Sequence, residues 1–259
     1  MANSKYEYVK KFEMEDKLPA CNWIVVRIDG HKFHRFSDDH DFDKPNDENA
    51  LNLMNSCAVS MVEQFSDIVF AYGVSDEYSF IWKETSQFYD RRASKILSLS
   101  VSYFTSMYVM KWKDFFPHKD LKDPPCFDGR IVLYPRVKIV RDYLSWRQVD
   151  CHINNQYNTC FWMLVKSGKS NKDAQERLKG TLAKDKNELL FRQFGINYDK
   201  LPDIFKKGSC VYKDTVEETV KPDDGGNPVR RQRRRVIVGH FNIIEDWFWN
   251  EHPNILKED

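Results

Sequence analysis

The sequence predicts an α/β (α+β) protein: a ferredoxin-type sheet in the order β-α-β-β-α-β, carrying a helical C-terminal elaboration. Two observations predict it. In the first half, four short β-branched or aromatic runs alternate with two long helical patterns. Beyond residue 136 helical periodicities dominate. The composition supports a core, with 259 residues of which 41% are hydrophobic and 14% aromatic. Forty Lys+Arg against 39 Asp+Glu argues against indiscriminate coating of nucleic acid, while leaving local basic patches open. The mean hydropathy is −0.64, and no window approaches the roughly 20 apolar residues of a membrane span.

Asn22–Asp29 (NWIVVRID) is the first strand, stopped by Gly30. Asn46 or Asp47 caps a helix reaching about Phe65, with Leu51, Met54, Ala58, Met61 and Phe65 at helical spacing. Asp67–Val74 and Tyr78–Trp82 are the next two strands, apolar on both faces as in a covered sheet. Only Ser75-Asp76-Glu77 separates them, which is hairpin length. A second helix over about Asp90–Lys111 lines up Ala93, Leu97, Val101, Phe104 and Tyr108, and Arg130–Tyr134 is the fourth strand. In this topology the end of strand one and the hairpin share one sheet edge, so Asp29 and Asp76 converge.

Val137 to about Lys166 is a long helical pattern, followed by shorter ones near Lys172–Lys179 and Lys186–Phe194. Gly208–Lys213 and Arg235–Phe241 read as strands flanking a polar loop over Pro222–Pro228, expected to be an exposed, mobile connection. No linker separates two autonomous units. Residues 1–135 are expected to form the catalytic part, with 136–259 packed on it. The N-terminal residues lack the apolar stretch of a secretory signal. None of the six cysteines forms a C-x-x-C pair, and Cys57 and Cys160 fall in apolar helical patterns as buried thiols. The expected compartment is intracellular and reducing.

Two aspartates at the ends of neighbouring central strands need a counter-charge, and a divalent metal supplies one. Mg²⁺ takes hard oxygen ligands, few protein carboxylates and substrate phosphates. Two such ions about 4 Å apart can activate an attacking oxygen and stabilise a leaving pyrophosphate. Gly30 leaves room for a triphosphate to approach the backbone. His31, Lys32 and His34 add donors, and Lys44 is a further phosphate partner. Glu77 reads either as a third acidic group near the metals or as a solvated hairpin residue. Taken alone, Asp29-Gly30 and Ser75-Asp76-Glu77 are merely turns. Their matching positions in the β-α-β-β-α-β order favour a site.

Arg27-Ile-Asp-Gly-His-Lys-Phe-His-Arg-Phe36 resembles the first signature of the eukaryotic tRNA(His) guanylyltransferases. Lys44-Pro-Asn-Asp47, Tyr72-Gly-Val-Ser-Asp-Glu-Tyr-Ser-Phe80 and Arg91-Arg-Ala-Ser-Lys95 resemble its next blocks. Asp142–Gln148, His152–Asn158 and Gly180–Glu188 continue the likeness, which runs from about Lys5 to Pro253. Gln156 stands where many relatives would carry Leu. The resemblance implies a palm-like catalytic domain that adds a guanosine ahead of the first nucleotide of histidine tRNA, in the 3′-to-5′ direction. ATP adenylylates the 5′-monophosphate, the 3′-hydroxyl of GTP attacks and expels AMP, and pyrophosphate is removed. Asp29, Gly30 (through its backbone) and Asp76 would hold two Mg²⁺. Asp29, Gly30, His31, Lys32, Phe33, His34, Ser75 and Asp76 would cradle GTP. Glu77 and Lys44 would support catalysis, Lys44 in the adenylylation step. The family assembles as a homotetramer, and cytoplasm, nucleus and mitochondrion are all compatible addresses.

His152 and Asn155, with Gln148 one turn earlier, form a polar helical stripe assigned to tRNA contact or assembly of the substrate site. Arg92, Lys95 and Lys186 are expected to hold RNA phosphates. Arg230–Arg235 (RRQRRR) is treated as accessory, and Trp247, Phe248 and Trp249 as packing aromatics. Rival readings are another palm enzyme, such as a nucleotide cyclase or a template-directed 5′-end repair polymerase, and a non-catalytic tRNA-binding protein.

Overall fold

The computed structural model describes residues 4–219 and 230–257. Its strands are β1 (Trp23–Gly30), β2 (Ile68–Val74), β3 (Glu77–Trp82), β4 (Phe127–Tyr134), β5 (Ser209–Thr219) and β6 (Arg230–Gly239). They form one antiparallel sheet in the order β4-β1-β3-β2-β5-β6. The first four strands have the ferredoxin arrangement that the sequence predicts.

Strand alternation sorts β1 between two cores. Ile24, Val26 and Ile28 pack with α2 (Glu48–Gln64) and α3 (Ala93–Phe115). Trp23 and Val25 pack on the opposite face with Val140, Tyr143 and Leu144 of α4 (Val137–Lys166). Covered on both sides, the strand must be apolar on both, which is why its period-2 pattern is weak. At 30 residues α4 is about 45 Å long. Its distal half carries a third core, where Cys160 and Leu164 meet Ala174 and Leu178 of α5 (Asn171–Leu178) and Leu190 of α6 (Ala183–Phe194). A short helix, α7 (Asp203–Lys207), leads into β5, and α8 (Asp246–Glu251) closes the α4 face of the sheet. Asp47 caps α2 through Ala50 N at 3.1 Å.

Several expectations are corrected here. A helix to which the sequence gives no element, α1 (Phe33–Asp39), occupies the segment after β1. It has seven residues and no side-chain cap, so its only local signal is the buried pair Phe33 and Phe36, stacked at 4.7 Å. Helix α3 begins at Ala93 rather than Asp90, because Tyr89, Asp90 and Arg91 all have positive φ. The two C-terminal strands, whose neighbours the sequence leaves open, join the same sheet. β5 pairs with β2, Phe70 opposite Tyr212 and Gly73 opposite Ser209, and so extends the sheet. The Pro222–Pro228 loop lies outside the described residues. Phe248 and Trp249 are buried against Phe70, whereas Trp247 is exposed. Cys57 and Cys160 are buried, and all six thiols are free. Among the described residues no helix is long and apolar enough to cross a membrane.

Arg91, which the sequence groups with the basic cluster Arg91–Lys95, is a core residue at 1% exposure. Its guanidinium donates to five backbone carbonyls: Leu18, Pro19, Asn22, Glu84 and Ser86, at 2.8–3.3 Å. It thereby ties the segment before β1 to the loop after β3. Replacing Arg91 with Ala strands these carbonyls, and the expected loss is on the order of 3–5 kcal/mol of folding stability. Arg91→Lys restores only a minor part, since an ammonium lacks the planar fork. Urea unfolding midpoints check both, and a wild-type midpoint for Arg91→Ala would refute the assignment.

Candidate active site

The site lies where β1 ends and β2 turns into β3. The β1–β3 register sets Asp29 opposite Glu77, and the Gly30 N–H donates to the Asp76 carbonyl at 3.1 Å. The hairpin turn is therefore pinned to the end of β1. The Asp76 carboxylate lies over Gly30, since a Cβ there would stand 2.8 Å from Asp76 Oδ2 and 2.4 Å from the Phe33 ring. Burial pushes the Asp76 carboxyl up from its usual range, and the neighbouring charge of Asp29 adds to the rise. Hydrogen bonding from Ser75 works the other way.

Arg27 shares a strand face with Asp29, and its Nη2 donates to Asp29 Oδ2 at 3.0 Å. The same nitrogen lies 2.5 Å from Glu77 Oε2. From α4, Arg147 donates to both oxygens of Glu77: Nε to Oε1 at 2.8 Å and Nη2 to Oε2 at 3.1 Å. Its Nη2 also reaches Asp150 Oδ2 at 2.7 Å. Glu77 is thus buried between two guanidiniums and opposite Asp29, which corrects the alternative of a solvated hairpin residue. Burial raises its carboxyl while Arg147 and Arg27 pull it down. One turn of β3 further on, Ser79 and Tyr143 join hydroxyls at 2.6 Å.

A pocket of about 600 Å³ opens beside this edge. His34, Ser37, Lys44, Ser75 and Asp76 line one side; Asn155, Asn158 and Trp162 of α4 line the other. Its size suits a nucleotide. Lys44 is held at the rim by Ser37 Oγ at 2.7 Å and Asp38 Oδ1 at 2.9 Å, with Nζ 5.6 Å from the centre of the Trp162 ring. The hydrogen bond from Lys44 holds the Asp38 carboxyl below its usual range. The loop bearing Lys44 is fastened to α4 by Lys166 Nζ to Lys44 O at 2.6 Å and by Asn46 Nδ2 to Asn155 Oδ1 at 2.9 Å.

The expected site residues fall into two groups. Asp29, Gly30, Ser75, Asp76, His34 and Lys44 come together at the edge and its pocket. His31 and Lys32 are exposed beside them. Phe33 reaches the pocket, but its ring belongs to the core, 4.7 Å from those of Phe36 and Phe127. The expected RNA contacts do not assemble. Arg92 and Lys95 open α3, at the end of the sheet away from the carboxylates, and Arg92 pairs with Asp16 at 3.4 Å. Lys186 lines a separate groove between α5 and α6 and donates to Thr181 O at 2.9 Å.

The polar stripe on α4 resolves mostly into structure. Gln148 is buried, donating to Lys207 O and Phe241 O and accepting from Ile243 N, each at 2.8 Å. Asn155 is buried between Asn46 and Tyr198. Only His152 of the three is exposed. Gln156 is satisfied by Asn187 at 2.8 Å, which accommodates a polar side chain where an apolar one was expected. Sequence reasoning missed Arg27, Arg147 and Trp162. A charge inside an apolar strand, as in Val-Val-Arg-Ile-Asp, was the available signal for Arg27.

Two family models match the chain: "tRNAHis guanylyltransferase" over residues 6–135 and "Thg1 C terminal domain" over residues 138–245. The chain belongs to the tRNA(His) guanylyltransferase family. It is similar to "tRNA(His) guanylyltransferase 1" of Arabidopsis thaliana, 58% identical over 259 residues, all of this chain and 46% of that one. It thus spans about half the length of that relative. The crystal structure of the Saccharomyces cerevisiae tRNA(His) guanylyltransferase superposes with a TM-score of 0.77 at 50% identity, covering 80% of this chain and 93% of the other. A bacterial tRNA(His) guanylyltransferase-like protein, solved with ATP, shares the fold at 23% identity and a TM-score of 0.77, covering 98% of this chain and 99% of the other. The palm-like sheet is the fold of the family.

Among the described residues no group of three or more His, Cys, Asp or Glu side chains is arranged to hold a metal. The donor set nonetheless fits Mg²⁺, which binds through one or two carboxylates and completes its shell with phosphates and water. Asp29 and Asp76 supply such a pair. Replacing Gly30 with Ala tests how closely the edge is built. The new methyl must displace the Phe33 ring or the Asp76 carboxylate. The expected cost is about 1–3 kcal/mol of stability. Urea unfolding midpoints check it, and an unchanged midpoint would contradict the close approach of the Phe33 ring and the Asp76 carboxylate to Gly30.

Proposed function

We propose that this chain is a nucleotidyltransferase that adds a guanosine ahead of the first nucleotide of histidine tRNA. The observation that carries the reading is the meeting of Asp29, Gly30 and Asp76 at one sheet edge, where Asp76 also lines a nucleotide-sized pocket, in a chain of this family. The reaction runs in three stages. The 5′-monophosphate of the tRNA attacks the α-phosphorus of ATP and pyrophosphate leaves; the 3′-hydroxyl of GTP attacks the activated 5′-phosphorus and AMP leaves; water then removes pyrophosphate from the 5′-triphosphate of the added guanosine.

The chain's own groups divide these tasks. Asp29, Asp76 and the backbone of Gly30 would hold two Mg²⁺, whose chemistry when bound is to neutralise phosphate charge and lower the pKa of the attacking oxygen. Gly30, lacking a side chain, lets the Asp76 carboxylate and the Phe33 ring close on its backbone, which corrects the expectation of open room for a triphosphate there. His31, Lys32, His34 and Ser75 offer donors around it, and Phe33 anchors that segment in the core. Lys44, held by Ser37 and Asp38, presents a fixed ammonium to a phosphate and belongs to the adenylylation step. Glu77 supports catalysis indirectly, by holding Arg27.

Residues 1–135 are read as the catalytic palm, and 136–259 as the part that closes the pocket. Histidine tRNA would reach the site past His152 and Asn155, with Arg92, Lys95 and Lys186 gripping its backbone elsewhere. A homotetramer, with sites shared between subunits, belongs to the same proposal, and so does an intracellular address.

The test combines the protein with 5′-monophosphorylated histidine tRNA, ATP, GTP and Mg²⁺. The expected product is one nucleotide longer, and its absence would sink the reading. Template-dependent extension of truncated tRNAs would point to a repair polymerase instead. Asp76→Ala should abolish both adenylylation and guanylyl transfer, whereas Lys44→Ala should block adenylylation and spare transfer to a pre-adenylylated tRNA. Normal accumulation of adenylylated tRNA by Asp76→Ala would contradict a shared carboxylate site.

A further inference from the structure

We propose that Arg147 of α4 is the positioning residue of the active site, setting the Asp29 carboxylate through Glu77 and Arg27. The inference rests on the nucleotidyltransferase reading and adds a residue that it does not contain. The chain of contacts is continuous. Arg147 takes both oxygens of Glu77, at 2.8 and 3.1 Å. Glu77 Oε2 meets Arg27 Nη2 at 2.5 Å, and that nitrogen donates to Asp29 Oδ2 at 3.0 Å.

Burial decreases along this chain toward the site. Side-chain exposure is 5% at Arg147, 9% at Glu77, 16% at Arg27 and 29% at Asp29. The innermost member is thus the most restrained, with its guanidinium fixed again by Asp150 at 2.7 Å and stacked 4.2 Å from the centre of the Trp146 ring. A planar fork locked in this way dictates the plane of the Glu77 carboxylate. Glu77 in turn keeps Arg27 from swinging wholly onto Asp29. Without that hold the guanidinium would be free to take Asp29 as a bidentate partner and withdraw its oxygens from a metal.

The charge balance agrees. Asp29, Asp76, Glu77 and Asp150 face Arg27 and Arg147, leaving a surplus of two negative charges where the reading places divalent cations. The geometry therefore gives Arg147 no contact with substrate. It tunes the outermost carboxylate from behind, as outer-shell partners of metal ligands do.

The test uses the full chain, with Mn²⁺ as the probe in the presence of GTP and free Mn²⁺ read by electron paramagnetic resonance. Arg147→Lys keeps the charge and loses the fork; Glu77→Gln keeps the shape and loses the charge. Each should weaken Mn²⁺ binding by about tenfold or more. In tRNA extension each should lower kcat and leave the KM for GTP near wild type. Because both act through one chain, the double variant should bind Mn²⁺ no more weakly than the worse single one. A general loss of packing would lower the unfolding midpoint without this pattern. Wild-type Mn²⁺ affinity in either variant, if it remains folded, overturns the proposal, as do fully additive losses. Should Arg147→Lys fail to fold, Glu77→Gln alone decides. A wild-type chain that binds Mn²⁺ yet extends no tRNA defeats the nucleotidyltransferase reading, while the variants still decide the role of Arg147. A wild-type chain that binds no Mn²⁺ defeats both.

Discussion

β1 and β3 are held in a register that places Asp29 opposite Glu77 and Arg27 opposite Ser79, all on the face that looks toward α4. Side chains alternate along a strand, so a slip of one residue would turn Asp29 and Arg27 into the apolar core of α2 and α3. It would also part Gly30 from the Asp76 carbonyl. Pocket, carboxylate pair and ion network all depend on this one ladder. It is well protected: Ile24, Val26, Phe80 and Trp82 are fully buried on one side and Val25 and Ile81 on the other, and another register would disturb the packing of both cores.

The part of this visible in the amino-acid sequence is the part that local chemistry encodes. The β-branched runs, the Asp47 cap and the short Ser75-Asp76 connection each carry their own signal. Topology then brings Asp29 to Asp76. The sequence is silent where a residue acts on a distant partner. Arg147 and Glu77 lie 70 positions apart, and nothing near Arg147 marks it as other than a surface cation on a helix. Arg91 misleads in the same way, since a guanidinium satisfied by carbonyls leaves no acidic partner in the sequence. The pairing of β5 with β2 is equally hidden, because an apolar strand does not announce its neighbour. Gln148 and Asn155 look like a binding stripe because polar residues at helical spacing read alike whether they face solvent or satisfy buried backbone groups.

A 30-residue helix touches two of the three cores and the site between them. Val140 and Leu144 lie against the sheet, Arg147 against the ion network, Asn155 against the pocket, and Leu164 against α5 and α6. A helix of this length is stiff, so the pocket wall and the platform beneath α5 and α6 move together. This explains how residues beyond 136 complete a pocket whose carboxylates all come from the first half of the chain.

The arginines of β6 have a consequence apart from any ligand. β6 is an outer strand of the sheet, with one row of backbone N–H and C=O groups that no strand among the described residues covers. Such an open ladder is a template on which a second chain can add and aggregate. Arg233, Arg234 and Arg235 are exposed along it. A second copy offering its own β6 would lay guanidinium against guanidinium. The most basic run in the chain thus acts as a gatekeeper, keeping an extended sheet soluble at the edge where it would otherwise keep growing.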